Sequence, residues 1–135
     1  MTTPNSEGIV QVIETKFSTD VVSGLSLPTV FENSGTEAPD SGLWCMHHII
    51  MPAREDESIG RPRIEGFQNA MIFGEAGEGM GALRAMADDV VGVFDRLELA
   101  GPPRIYFREC RSVTTGTQRG VPYAAVSCPF YHDEV

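Results

Sequence analysis

Leu43-Trp44-Cys45-Met46-His47-His48-Ile49-Ile50-Met51 is a nearly continuous apolar run with two histidines inside it. It reads as a strand buried on at least one face. Pro52-Ala53-Arg54-Glu55-Asp56-Glu57-Ser58-Ile59-Gly60-Arg61-Pro62 follows, a charged connection bounded by prolines. Beyond it a second strand places Phe67, Met71 and Phe73 on one face and Gln68 and Ala70 on the other. The two strands are expected to pair as a hairpin with a long, acidic tip.

Upstream, Ile9, Val12, Ile13 and Phe17 recur at helical spacing. Thr3-Pro4 supplies a cap and a first-turn proline, and Ser23-Gly24 ends this helix. Leu25 to Phe31 is a short extended piece, and residues 32–42 form a loop by composition. Downstream of the hairpin, the flexible stretch Gly74-Glu75-Ala76-Gly77-Glu78-Gly79-Met80-Gly81 opens the clearest helix in the chain. There Leu83, Met86, Ala87, Val90, Phe94 and Leu97 form one stripe, and Ala100-Gly101-Pro102-Pro103 stops it. The remainder is β. Ile105 and Phe107 alternate with Arg104, Tyr106 and Arg108, residues 115–120 connect, and Val121 to Tyr131 is the last strand. Pro122 and Pro129 lack ladder donors and are expected at its ends or on a sheet edge.

The fold class expected is α+β: one domain over residues 1–135, with a mixed or antiparallel sheet and two α-helices packed on one face. No stretch of 18 apolar residues exists, so no membrane-spanning helix is expected. The first residues lack the basic start and apolar stretch of a signal peptide, and three widely spaced cysteines read as reduced thiols.

Charge narrows the function classes. The net charge is −9, and Lys16 is the only lysine among 10 bases. A chain of this kind does not hold a phosphate backbone across a broad face, which takes clustered cations. Only residues 102–135 show a basic excess, four bases against three acids. Arg104, Arg108, Arg111 and Arg119 read there either as a solvated strand face or as a patch that meets an acidic neighbour.

Three motifs bear on chemistry. Strand, Gly-x-Gly-x-Gly and helix is the layout of a phosphate cradle, but Glu75 and Glu78 occupy the anion's place and no Walker lysine follows. His47 and His48 are neighbours on a strand and point to opposite faces. No Cys-x-x-Cys or His-x-x-x-His spacing supports a metal either. Each cysteine lies in or beside an apolar strand, where thiols are usually inert. No catalytic constellation is found, so an interaction module is expected, without catalytic residue, metal or cofactor. A small enzyme or ligand-binding domain using the Gly-rich loop is the competing class.

Read in order, several short motifs resemble those of the tail terminator proteins of long-tailed bacteriophages. They are Leu27-Pro28-Thr29-Val30-Phe31-Glu32-Asn33, then Trp44 with its strand, then Gly60-Arg61 and Gly66-Phe67. Phe73 to Gly81 with the helix to Phe94 follows, and Gly120-Val121-Pro122-Tyr123 through Val126-Ser127-Cys128-Pro129-Phe130 closes the series. The resemblance spans residues 25–131. It departs at Glu75-Ala76-Gly77-Glu78, where a proline-containing turn is more usual.

The resemblance implies an α+β subunit that forms a hexameric ring on the tail tube, stops tube polymerisation and presents the head-connector attachment surface. The implied partners are copies of itself, the tail tube protein and a head-connector or stopper protein. Phage DNA passes through without specific binding. The implied location is the virion's tail-neck junction, after assembly in the host cytoplasm. A neck head-closure protein is a near alternative. Arg54, Glu55, Asp56, Glu57 and Arg61 of the acidic connection, with Arg104 and Arg108, are the candidate assembly-interface residues.

Overall fold

The computed structural model describes residues 6–32, 37–39, 42–51, 63–75, 80–118 and 120–133. Helix α1 spans Ser6–Phe17 and runs into a π-helical turn at Ser18–Ser23. Its buried residues, Ile9, Ile13, Phe17 and Val21, recur every fourth position. Each such step overshoots a 3.6-residue turn by about 40°. The wider π turn counters that drift and keeps Val21 on the buried side. Gly24 follows, and its N–H reaches Thr19 O at 3.1 Å. A Cβ there would stand 2.4 Å from Asp20 O, so the close turn demands glycine.

Seven strands form one mixed sheet: β1 (Thr29–Phe31), β2 (Trp44–Ile50), β3 (Arg63–Phe73), β4 (Glu98–Leu99), β5 (Ile105–Phe107), β6 (Arg111–Gln118) and β7 (Val121–Asp133). Strand β1 lies parallel to β2, and every other pairing is antiparallel. The spatial order is β1-β2-β3-β7-β5-β4, and β6 also pairs with β7, beside β5. The expected hairpin forms with Trp44 opposite Phe73 and Ile50 opposite Phe67. Its tip, residues 52–62, lies outside the described residues, as does the Thr3-Pro4 cap.

Helix α2 (Gly81–Phe94) buries Leu83, Ala87, Val90 and Phe94. The buried residues of α1, α2 and the sheet join in a single apolar core, so both helices cover the same sheet face. Four phenylalanine rings span that core. Phe17 stacks on Phe94 at 5.8 Å, Phe94 meets Phe107 at 5.2 Å, and Phe107 meets Phe130 at 5.8 Å. This is the α+β single-domain architecture expected.

Four local expectations are corrected. The second helix stops at Phe94, well before the prolines, because Asp95 is extended and Arg96 has a φ of 54°. Residues 98–99 then pair with β5, making a short strand that no periodicity marks. Residues 115–118 belong to strand β6 and are not simply a connection. Pro129 lies inside a central strand, away from both its ends and any sheet edge. Its missing donor is tolerated there because the ladder on that side changes partner. Phe107 pairs with Phe130, whereas Arg111 pairs with Ser127, so residues 108–110 face two positions and form a bulge-like step.

Candidate assembly surface

Alternation along β3 and β7 separates two faces sharply. Gly66, Gln68, Ala70 and Ile72 of β3, and Ala124, Val126, Cys128 and Phe130 of β7, are buried under the helices. The residues between them point the other way, onto a face that no helix covers among the described residues.

That open face carries several rows of apolar groups, with one polar row, His48, Asn69, Ser127 and Arg111, between them. Trp44 stacks on Phe73 at 4.6 Å, and Phe73 lies 5.9 Å from Tyr123, giving an aromatic row across β2, β3 and β7. The registers place Met46, Met71, Ala125 and Val113 in a second row. Ile50, Phe67 and Pro129 make another. Met46 is 44% exposed, Ile50 45%, Phe67 44% and Val113 54%. All four exposed large hydrophobics among the described residues thus lie on one surface. Exposed apolar groups gathered on one surface are a common feature of surfaces that dock a partner.

A polar rim closes one end. The Arg63 guanidinium sits 4.3 Å from the Tyr131 ring and donates to Asp133 at 2.6 and 3.2 Å. Arg108 lies 4.8 Å from the same ring and 3.5 Å from Glu65. Tyr106 stacks on Tyr131 at 5.1 Å. Apolar groups beside a charged rim are also found at protein interfaces.

The sequence candidates fare differently. Arg54, Glu55, Asp56, Glu57 and Arg61 lie outside the described residues. Arg104 and Arg108 flank β5, and each already faces a carboxylate of its own chain: Arg104 stands 3.9 Å from Glu98, and Arg108 faces Glu65. A hydrogen bond with Tyr106, and then the charges of Tyr106 and Glu98, raise the Arg104 pKa further. The apolar surface residues Trp44, Met46, Ile50, Phe67, Met71 and Val113 were not among the candidates. The available signal was on β3, where Phe67, Met71 and Phe73 share the more apolar side.

The covered face holds the polar exceptions. His47 is buried and packs 4.4 Å from the Phe17 ring, with Nε2 2.8 Å from Gln68 Oε1. Burial pulls its pKa down to about 4, against a smaller upward effect of Gln68. The ring is therefore neutral at physiological pH, and its Nε2–H donates to the amide oxygen. His48 points to the opposite side and is half-buried. Burial pushes the Cys45 thiol up to about 12, far from a reactive thiolate. At the outer flank of α1, Glu7, Glu14 and Glu32 line an open groove with Val10, Ile49 and Met51. Glu32 is engaged there, accepting the Ile49 N–H at 2.8 Å. Among the described residues no three His, Cys, Asp or Glu side chains are grouped to hold a metal. Among the same residues no helix is long and apolar enough to cross a membrane.

No known protein family matches the chain, and neither does any curated protein. Five solved chains match it in structure. One of them, named by a sequence identifier alone, superposes with a TM-score of 0.72 over 93% of this chain and 96% of its own, at 14% identity. The likeness establishes a shared fold over nearly the full length of both chains.

Proposed function

We propose that this chain is a structural virion protein of a long-tailed phage, a tail terminator. In this reading it forms a ring on the tail tube, stops tube polymerisation and provides the surface to which the head connector attaches. The observation that carries the reading is the open sheet face. A subunit working alone gains nothing by leaving Met46, Ile50, Phe67 and Val113 in water. A subunit that joins neighbours recovers about 25 cal/mol for each Å² of that surface it buries. The ordered motifs between residues 25 and 131 supply the identity of the assembly. The net charge of −9 supports passage of DNA without adhesion, because like charges remove the counterion-release attraction. The partners are further copies of the chain, the tube protein and the stopper. The working place is the tail-neck junction, after assembly in the host cytoplasm.

Removing the gene and returning it on a plasmid tests the reading. Without the chain, tails should be irregular in length and heads unattached in electron micrographs, and the wild-type gene should restore both. A particle reconstruction should place a ring of this chain at the tube's end. Normal tails joined to heads in its absence would overturn the assignment.

A further inference from the structure

Cys110 and Cys128 face each other across the sheet. Strand β6 opens with Arg111 opposite Ser127, and the side chain of Cys110, the residue just before it, lies within hydrogen-bonding contact of the Cys128 thiol. Both point to the covered face, with exposures of 5% and 1%. The Cys110 thiol also lies 3.9 Å from Arg108 O. Pro129 turns its carbonyl toward β5, where it accepts the Arg108 N–H at 2.9 Å, so the peptide groups of Cys128 alternate toward β3. The Cys110 N–H in turn donates to Asp95 Oδ1 at 2.9 Å, and not into the ladder. In a cross-strand pair of this type the Cα atoms approach to about 4.5 Å. That falls within the roughly 4.4–6.8 Å that a disulfide spans. Cys110 also belongs to the irregular 108–110 step, where the chain can adjust its torsions more easily than in a regular strand.

We propose that Cys110 and Cys128 form a closable disulfide that ties the β5–β6 corner to the central strand β7. A small disulfide such as oxidised glutathione is the oxidant. One cysteine displaces a glutathione thiol to give a mixed disulfide, and the other cysteine displaces the second. Two protein thiols become one disulfide, and oxidised glutathione becomes two glutathione thiols carrying the two protons. The Cys110 thiol beside it, and then burial, hold the Cys128 thiol well above its ordinary range, so closure is slow at neutral pH. In a reducing compartment the pair stays open, and in an oxidising one it closes. Closure constrains residues 111–127 in the unfolded chain and stabilises the folded one. Cys45 cannot compete. It sits on β2 opposite Ile72, whose other neighbour is Ala124, far along β7 from Cys128.

The test uses the folded, full-length protein, exposed overnight to oxidised glutathione at mildly alkaline pH and then alkylated after denaturation. The expected product has lost two hydrogens, keeps a single alkylatable thiol at Cys45, and yields a peptide joining residues 110 and 128. Its melting temperature should rise by about 5 °C or more and return with dithiothreitol. Cys45→Ser should give the same cross-link, whereas Cys110→Ser and Cys128→Ser should not. Three alkylatable thiols after exposure, a cross-link to Cys45 or to a second chain, or a cross-link without a melting shift would each overturn the proposal.

Discussion

On β3, Gln68, Ala70 and Ile72 point under the helices, while Phe67, Met71 and Phe73 point away from them. By hydrophobicity alone the second set would be the core. The covered side instead accepts a glutamine paired to a histidine, because the helices bring enough apolar surface to bury both. The amide and ring satisfy each other in part, and Phe17 and Phe31 pack against the ring. The open side keeps large apolar groups with nothing of the described chain to bury them. The contrast teaches that the covered face is built for the stability of one copy, whereas the open face adds little to it.

The deepest cut into the covered face is Phe94→Ala. Phe94 touches Phe17 and Phe107 and is fully buried. The cavity should cost about 3–5 kcal/mol, a large part of the stability of a small domain. Thermal unfolding should show it, and a melting temperature within a degree or two of wild type would mean that this face is not the core.

Acid probes the same face through His47. Its folded pKa of about 4 lies below the ordinary value of 6.5, so between these the unfolded chain binds the extra proton. Its contribution to stability is full above about pH 6.5 and falls as the pH drops toward 4, by about 3 kcal/mol in all. NMR titration of the ring should give a midpoint below 5. A midpoint above 6 would show that the histidine is hydrated.

On the open face the expected order reverses. Phe67→Ser removes a half-exposed ring and should change monomer stability by about 1 kcal/mol or less. The same variant should fail to assemble, as seen in tail length and head joining. Normal assembly, or collapse of the monomer, would erase the distinction between the faces.

The smallest stability effect is expected at residues 54–57. Replacing Arg54, Glu55, Asp56 and Glu57 by a Gly/Ser linker should leave the melting curve nearly unchanged, since a charged, proline-bounded connection contributes little to a core. Under the proposed function it should still abolish capping of the tube. Capping at wild-type tail length would leave the apolar face as the sole assembly surface.

Much of the fold was legible from local pattern. The four-residue spacing of Ile9, Ile13 and Phe17, the stripe from Leu83 to Phe94, the apolar run at residues 43–51 and the alternation in residues 67–73 each follow from one element's own pattern. Strands β4 and β6 were not, because Glu98-Leu99 has no period and Gly116 interrupts the Thr-rich run. The candidate site was legible only in part. Arg104 and Arg108 were visible as charge, but their partners Glu98 and Glu65 come from other strands.

The sequence by itself determined the class of fold, the two helical stripes, the hairpin and the separation of His47 from His48, since all are consequences of backbone period. Only the tertiary structure decided which side of each strand became the interior. Alternation divides a strand into two faces without naming either as the core. That choice falls to the helices, and here they cover the face bearing Gln68 and leave Phe67 exposed, because burial is a property of what packs against a residue and not of the residue alone.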